Sequence, residues 1–121
     1  MARSSQFTDY LVEQLAPLGE VTARSMFGGW GIYCEGRMFA LVAEDMLYFK
    51  VDDINRAEFE REGLLPFRYA KTGKEVAVMS YYQPPAAALD DRDLLCAWAR
   101  KGIEAAARVA EKPRPGKRRE K

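Results

Sequence analysis

The densest cluster of residues with chemical potential is Arg24-Ser25-Met26-Phe27-Gly28-Gly29-Trp30-Gly31. A glycine-rich loop binds phosphate through its backbone amides when a strand leads into it and a helix leaves it, so that the helix N-terminus points at the anion. Here a strand-like run, WGIYC over 30–34, follows instead, and no Lys-Ser/Thr pair follows the glycines as it does in a P-loop. Gly28 and Gly29 therefore read as a tight bend or bulge that needs a left-handed torsion angle or a close backbone approach. Ser25 beside Arg24 suggests a nucleophile with an oxyanion donor, but the 121 residues include no His and no Lys lies nearby to take its proton. The absence of His also removes Ser-His and Cys-His activation, His-ligated zinc and a general base poised near neutral pH. No catalytic residue, cofactor or metal ligand is assigned, and the chain reads as non-enzymatic.

Other candidates divide between packing and binding. The acidic pairs Asp52-Asp53 and Asp90-Asp91 fall where helices should start, so they read as caps in preference to metal ligands. Tyr48, Tyr69, Tyr81 and Tyr82, with Phe67 and Arg68, offer a stacking surface for single-stranded nucleic acid, although strand tyrosines more often pack edge-on with wet hydroxyls. Cys34 and Cys96 form no metal-ligand spacing and read as free thiols in a reducing cytoplasm, since no N-terminal apolar segment marks secretion. No apolar run approaches the roughly 20 residues of a membrane span. The basic residues Lys112, Arg114, Lys117, Arg118, Arg119 and Lys121 are concentrated in a Pro- and Gly-containing tail, 112–121, with one acid among them. The preceding 111 residues then hold 13 basic and 17 acidic residues, a mildly acidic body. The tail reads as extended and solvated, and such a segment makes weak, sequence-independent contact with phosphate backbones.

The elements that must position these residues follow from hydrophobic period. Phe7, Tyr10, Leu11 and Leu15 form one stripe of a helix over 5–16 that Ser4 or Ser5 caps. Three short runs, 30–34, 37–43 and 46–51, read as an antiparallel meander with two-residue loops at Glu35-Gly36 and Glu44-Asp45. The middle run is apolar almost throughout, which predicts cover on both faces. Asp52 or Asp53 opens a short helix to about Glu62, two strands follow at 67–70 and 75–82, and Asp90 opens a last helix that buries Leu94, Leu95, Trp98, Ala99 and Ile103. The fold class is α+β: two layers in the order α-β3-α-β2-α, with an antiparallel sheet packed by helices over 1–111 and a flexible tail over 112–121.

Arg24, Met26-Phe27-Gly28-Gly29 and the downstream Leu47-Tyr48-Phe49-Lys50, with Phe67, Tyr69, VMSYYQPP and the helix carrying Trp98, resemble the N-terminal domain of the TfoX/Sxy family over about residues 9–106. The resemblance implies the α-β3-α-β2-α arrangement and a role like that of competence regulators, which act with the cyclic-AMP receptor protein at promoters and are not enzymes. Full-length regulators carry a second, helical domain, where here only the basic tail follows. The expected function is a cytoplasmic interaction module and transcription accessory factor. Its candidate contact residues are Arg24, Phe27, Gly28, Gly29, Trp30, Tyr81 and Tyr82. The alternative is nonspecific nucleic-acid binding through the tail and the strand aromatics. A protein partner is expected, with no membrane; homodimerisation through an exposed strand or helix stays open.

Overall fold

The structure, a computed structural model, describes residues 6–26 and 28–111. Phe27, the proposed caps Ser4 and Ser5 and the tail 112–121 lie outside the described residues. Helix α1 spans Gln6–Leu15 and runs on into a 3-10 turn, Ala16–Leu18. Leu11 and Leu15 are fully buried on its inner stripe. Tyr10 of the same stripe stays 39% exposed, because its hydroxyl reaches out to donate to the Leu89 carbonyl at 2.6 Å. Arg92 donates to the Glu13 and Gln14 carbonyls at the end of α1, where unpaired carbonyls favour a cation.

The sheet holds six strands: β1 Val21–Met26, β2 Gly29–Cys34, β3 Arg37–Ala43, β4 Met46–Lys50, β5 Pro66–Lys71 and β6 Lys74–Tyr82. All pairs are antiparallel in the order β1-β2-β3-β4-β6-β5. The α+β class is as the sequence predicts, with one strand more than the predicted five. Strand β1, VTARSM, is hidden in the sequence because it is an edge strand with few bulky apolar residues, and tertiary pairing to β2 outweighs its weak local signal. Both predicted two-residue loops form, with positive φ at Glu35, Gly36, Glu44 and Asp45, so even the Glu-Asp pair adopts the backbone that hairpin twist demands.

The helices lie on one side of this sheet. Helix α3, Arg92–Glu111, starts after a 3-10 segment, Ala86–Asp90. Its cap is Asp91, whose carboxylate accepts from the Leu94 amide at 3.1 Å, and not Asp90, which belongs to the 3-10 segment. Midway along α3, Gly102 comes so near the sheet that a Cβ there would stand 2.9 Å from the Phe39 carbonyl oxygen. A register shift between β2 and β3 leaves Phe39 as the extra residue on β3, and its ring stacks on Phe49 with centroids 6.2 Å apart. Around this pair Ile32, Leu95, Phe59 and Tyr82 complete the core, with the half-buried Trp98 edge-on to Phe59 at 4.9 Å.

Helix α2, Arg56–Arg61, begins later than the sequence suggests, because a turn over 53–55 precedes it. The Asp52 carboxylate accepts from the Ile54 and Asn55 amides, and the Asn55 side chain accepts in return from the Asp52 amide at 2.9 Å. Arg108 of α3 donates twice to the same carboxylate, at 2.6 and 3.0 Å, while Asn55 donates to the Lys101 carbonyl. This knot ties α2 to α3, and the Arg108 guanidinium holds the Asp52 carboxyl down at about 2. Asp53 takes a separate role, pairing with Arg56 at 2.8 Å on the surface.

Candidate functional site: the open sheet face

Strand pairing sorts the side chains onto two faces, since residues directly opposite share a face and neighbours along a strand alternate. Leu47, Phe49 and Val51 point toward the helices and are buried. The other face carries Arg24 and Met26 from β1, Gly29, Gly31 and Tyr33 from β2, Met38 and Leu41 from β3, and Tyr48 and Lys50 from β4. Among the described residues no helix lies over this second face of β3; Met38 and Leu41 there are half-buried, so the cover predicted for both faces is complete on the helix side and partial on the other.

What stands beside that face is the β5–β6 hairpin. Strand β6 joins β4 through two register pairs, Phe49↔Tyr82 and Lys50↔Tyr81, plus a bond from the Val51 amide to the Ser80 carbonyl. A register shift after Pro66 then releases β5 and the first half of β6 as a two-stranded ribbon. Phe67 of this ribbon meets Tyr48 edge-on at 5.0 Å and stacks with Tyr69 at 6.1 Å. Between ribbon and sheet lies a groove of about 640 Å³, its sheet wall drawn from Met26, Gly28, Gly29, Met38 and Leu41 and its ribbon wall from Phe67, Arg68, Tyr69, Ala70 and Glu75. Among the described residues, none from a helix lines it.

The glycine cluster shapes this groove. Gly28 turns the chain between β1 and β2 with a φ of 81°, in the left-handed region. Gly29 has a different reason to lack a side chain: a Cβ there would collide with the Val42 carbonyl oxygen of β3. At Gly31 the space is filled by the thioethers of Met26 and Met38, whose sulfurs lie 2.7 and 3.1 Å from where a Cβ would be. The bend and the close approach are those expected from the sequence, and the Met26 and Met38 side chains come together over Gly31.

Cations and rings are paired on the same face. The Arg24 guanidinium lies over the Tyr33 ring at 5.0 Å and the Lys50 ammonium over the Tyr81 ring at 5.2 Å. Burial pushes the Tyr81 hydroxyl up, with the neighbouring Tyr33 adding to it, and burial pulls Lys50 down. Tyr82 sits apart from these. It points to the helix side, is 1% exposed, and donates to Glu60 at 2.6 Å; burial and that bond push its hydroxyl up to about 12. Tyr81 alone of the predicted pair therefore reaches the open face. Trp30 lines the groove while packing against the core. Met26, Met38 and Leu41 carry no functional signal in the sequence, since only the register shows that they share a face.

The thiols stay out of the groove. Cys34 lies 3.8 Å from the Leu18 carbonyl and Cys96 3.5 Å from the Gln14 carbonyl; both are buried, and burial raises both above the ordinary thiol value. Among the described residues no group of three His, Cys, Asp or Glu side chains is placed to hold a metal ion, and no helix is long and apolar enough to cross a membrane.

Fold and site together define a two-layer α+β domain in which helices seal one sheet face and leave the other as an aromatic and thioether groove. The chain belongs to the TfoX N-terminal domain family, which matches residues 13–106. It is 37% identical over 65 residues to the DNA transformation protein TfoX1 of Aliivibrio fischeri, an alignment that takes in 54% of this chain and 31% of that protein. The chain thus spans about a third of the curated relative it matches.

Proposed function

We propose that this domain is a non-enzymatic interaction module that works in the cytoplasm as a transcription accessory factor of the competence-regulator type. The family match over residues 13–106 carries the reading, because it covers both the helix-packed core and the strands that build the open groove. A groove of mixed thioether and aromatic lining suits a protein partner, since polarizable and aromatic side chains adapt to and anchor contacts. The partner it fits is a component of the transcription machinery at promoters of DNA-uptake genes. The test is deletion of the gene in its native host with complementation by the full chain. DNA-uptake transcripts and transformation frequency should fall on deletion and return on complementation; unchanged transcripts would overturn the reading.

A further inference from the structure

We propose that the open sheet face binds single-stranded nucleic acid, with bases stacked on the exposed Tyr69 ring and phosphates held by Arg24, Lys50, Lys71 and Lys74. The inference concerns the same open face but does not rest on the transcription role proposed above. It starts from charge: in an acidic body, the strand register places Arg24 and Lys50 on this face, and Arg68, Lys71 and Lys74 on the ribbon add to them, so that cations outnumber the two carboxylates, Glu44 and Glu75, that line the groove. On the ribbon, Phe67, Tyr69 and Lys71 share one face of β5, while Arg68 and Ala70 take the other, as alternation along a strand requires. Phe67 contacts Tyr48 and lines the groove with Tyr69, and the other side of the ribbon reaches it through Arg68, Ala70 and Glu75.

Two features of the ribbon point to an occupant. Lys71 and Lys74 are directly opposite one another across a turn with φ of 50° at Thr72 and 77° at Gly73, and like charges in that position destabilise a hairpin unless an anion lies between them. Next to them, Tyr69 is 41% exposed although it stacks on Phe67 on one side, so its ring remains accessible to a base. Further along, Arg24 over Tyr33 and Lys50 over Tyr81 repeat the combination of ring and cation. A flexible single strand can splay its bases onto such rings while its backbone follows the cations, whereas a duplex keeps its bases stacked inside.

The experiment is fluorescence anisotropy of the full chain with a labelled oligothymidine at low salt, against a duplex of the same length. Tyr69→Ala should weaken single-strand binding between about five- and a hundredfold, and Tyr69→Phe should bind as the parent does. Lys71→Glu with Lys74→Glu should lower affinity and flatten the salt dependence by about 0.7 in slope for each phosphate no longer neutralised. These positions are exposed, and circular dichroism of each variant verifies its fold. If Tyr69→Ala fails to fold, the paired lysine variant and Tyr69→Phe carry the test. Absence of binding by the parent overturns the proposal. So does parent-like binding by the lysine variant, with affinity falling only when the basic residues of 112–121 are changed to Gln; equal binding of the duplex with no effect of Tyr69→Ala has the same consequence.

Discussion

Strand β4 shows two environments within five residues. On its helix side Leu47 and Phe49 are at most 2% exposed, sealed beneath α3; on its open side Tyr48 is buried against Phe67, while Met46 is 44% exposed and Lys50 stays half-buried over a tyrosine ring. The two sides share backbone, twist and neighbours, so the difference comes from what the rest of the chain supplies. The helices provide enough apolar surface for one side only. A ribbon held by a short ladder flanks the other, and a two-stranded hairpin alone is marginally stable in water. Stability should therefore reside on the helix side, and the open side should tolerate change.

The sharpest way to break this comparison is truncation on each side. Phe49→Ala should cost about 3–5 kcal/mol, because it empties space between Phe39 and α3, whereas Tyr69→Ala should cost under about 1 kcal/mol. Chemical denaturation of both variants measures the contrast; comparable losses would show that the ribbon is part of the folding core.

The two adjacent glycines divide the effect more finely. Gly29→Val forces a side chain against the Val42 carbonyl and should cost about 3 kcal/mol, the upper range for overpacking. Gly28→Ala meets nothing within 4 Å, so only the left-handed φ opposes it, at about 1–2 kcal/mol. Thermal melts should rank Gly29→Val below Gly28→Ala with or without added phosphate or nucleotide, and a phosphate-dependent ranking would mark the loop as an anion site.

Acid should reach the helix side through Asp52. Its carboxyl is lowered from 3.8 to about 2 in the folded protein, so the stability it contributes is fully present above about pH 4 and is lost as pH falls through about 2. With the Asp52 side chain only 10% exposed but Arg108 29% exposed, solvent screening leaves roughly 1–2 kcal/mol. Denaturation midpoints of parent and Asp52→Asn should differ above pH 4 and converge toward pH 2.

The smallest effect expected is on the thiols. Cys34 and Cys96, buried and raised by burial, should label slowly with a thiol reagent at neutral pH, and neither rate should respond to Lys71→Glu with Lys74→Glu. Rapid labelling of Cys34 would show that the helix side opens as readily as the ribbon.

Local pattern alone determined the three helices, five of the strands and their hairpin loops, because apolar period and turn length are properties of neighbouring residues. It also made the Gly28-Gly29 bend legible, since a glycine pair followed by a strand lacks the helix that phosphate capture needs. Strand β1 was not legible: its partner β2 decides its conformation, and its own residues state the preference weakly. The start of α3 moved from Asp90 to Asp91 because either carboxylate suits a cap and only the preceding 3-10 segment chooses between them. Alternation along β6 already puts Tyr81 and Tyr82 on opposite faces, and tertiary structure decided which of them meets the helices. Tertiary structure also gathered Met26, Met38, Tyr48 and Phe67 around one groove, because register across strands distant in the chain is set by packing on the helix side.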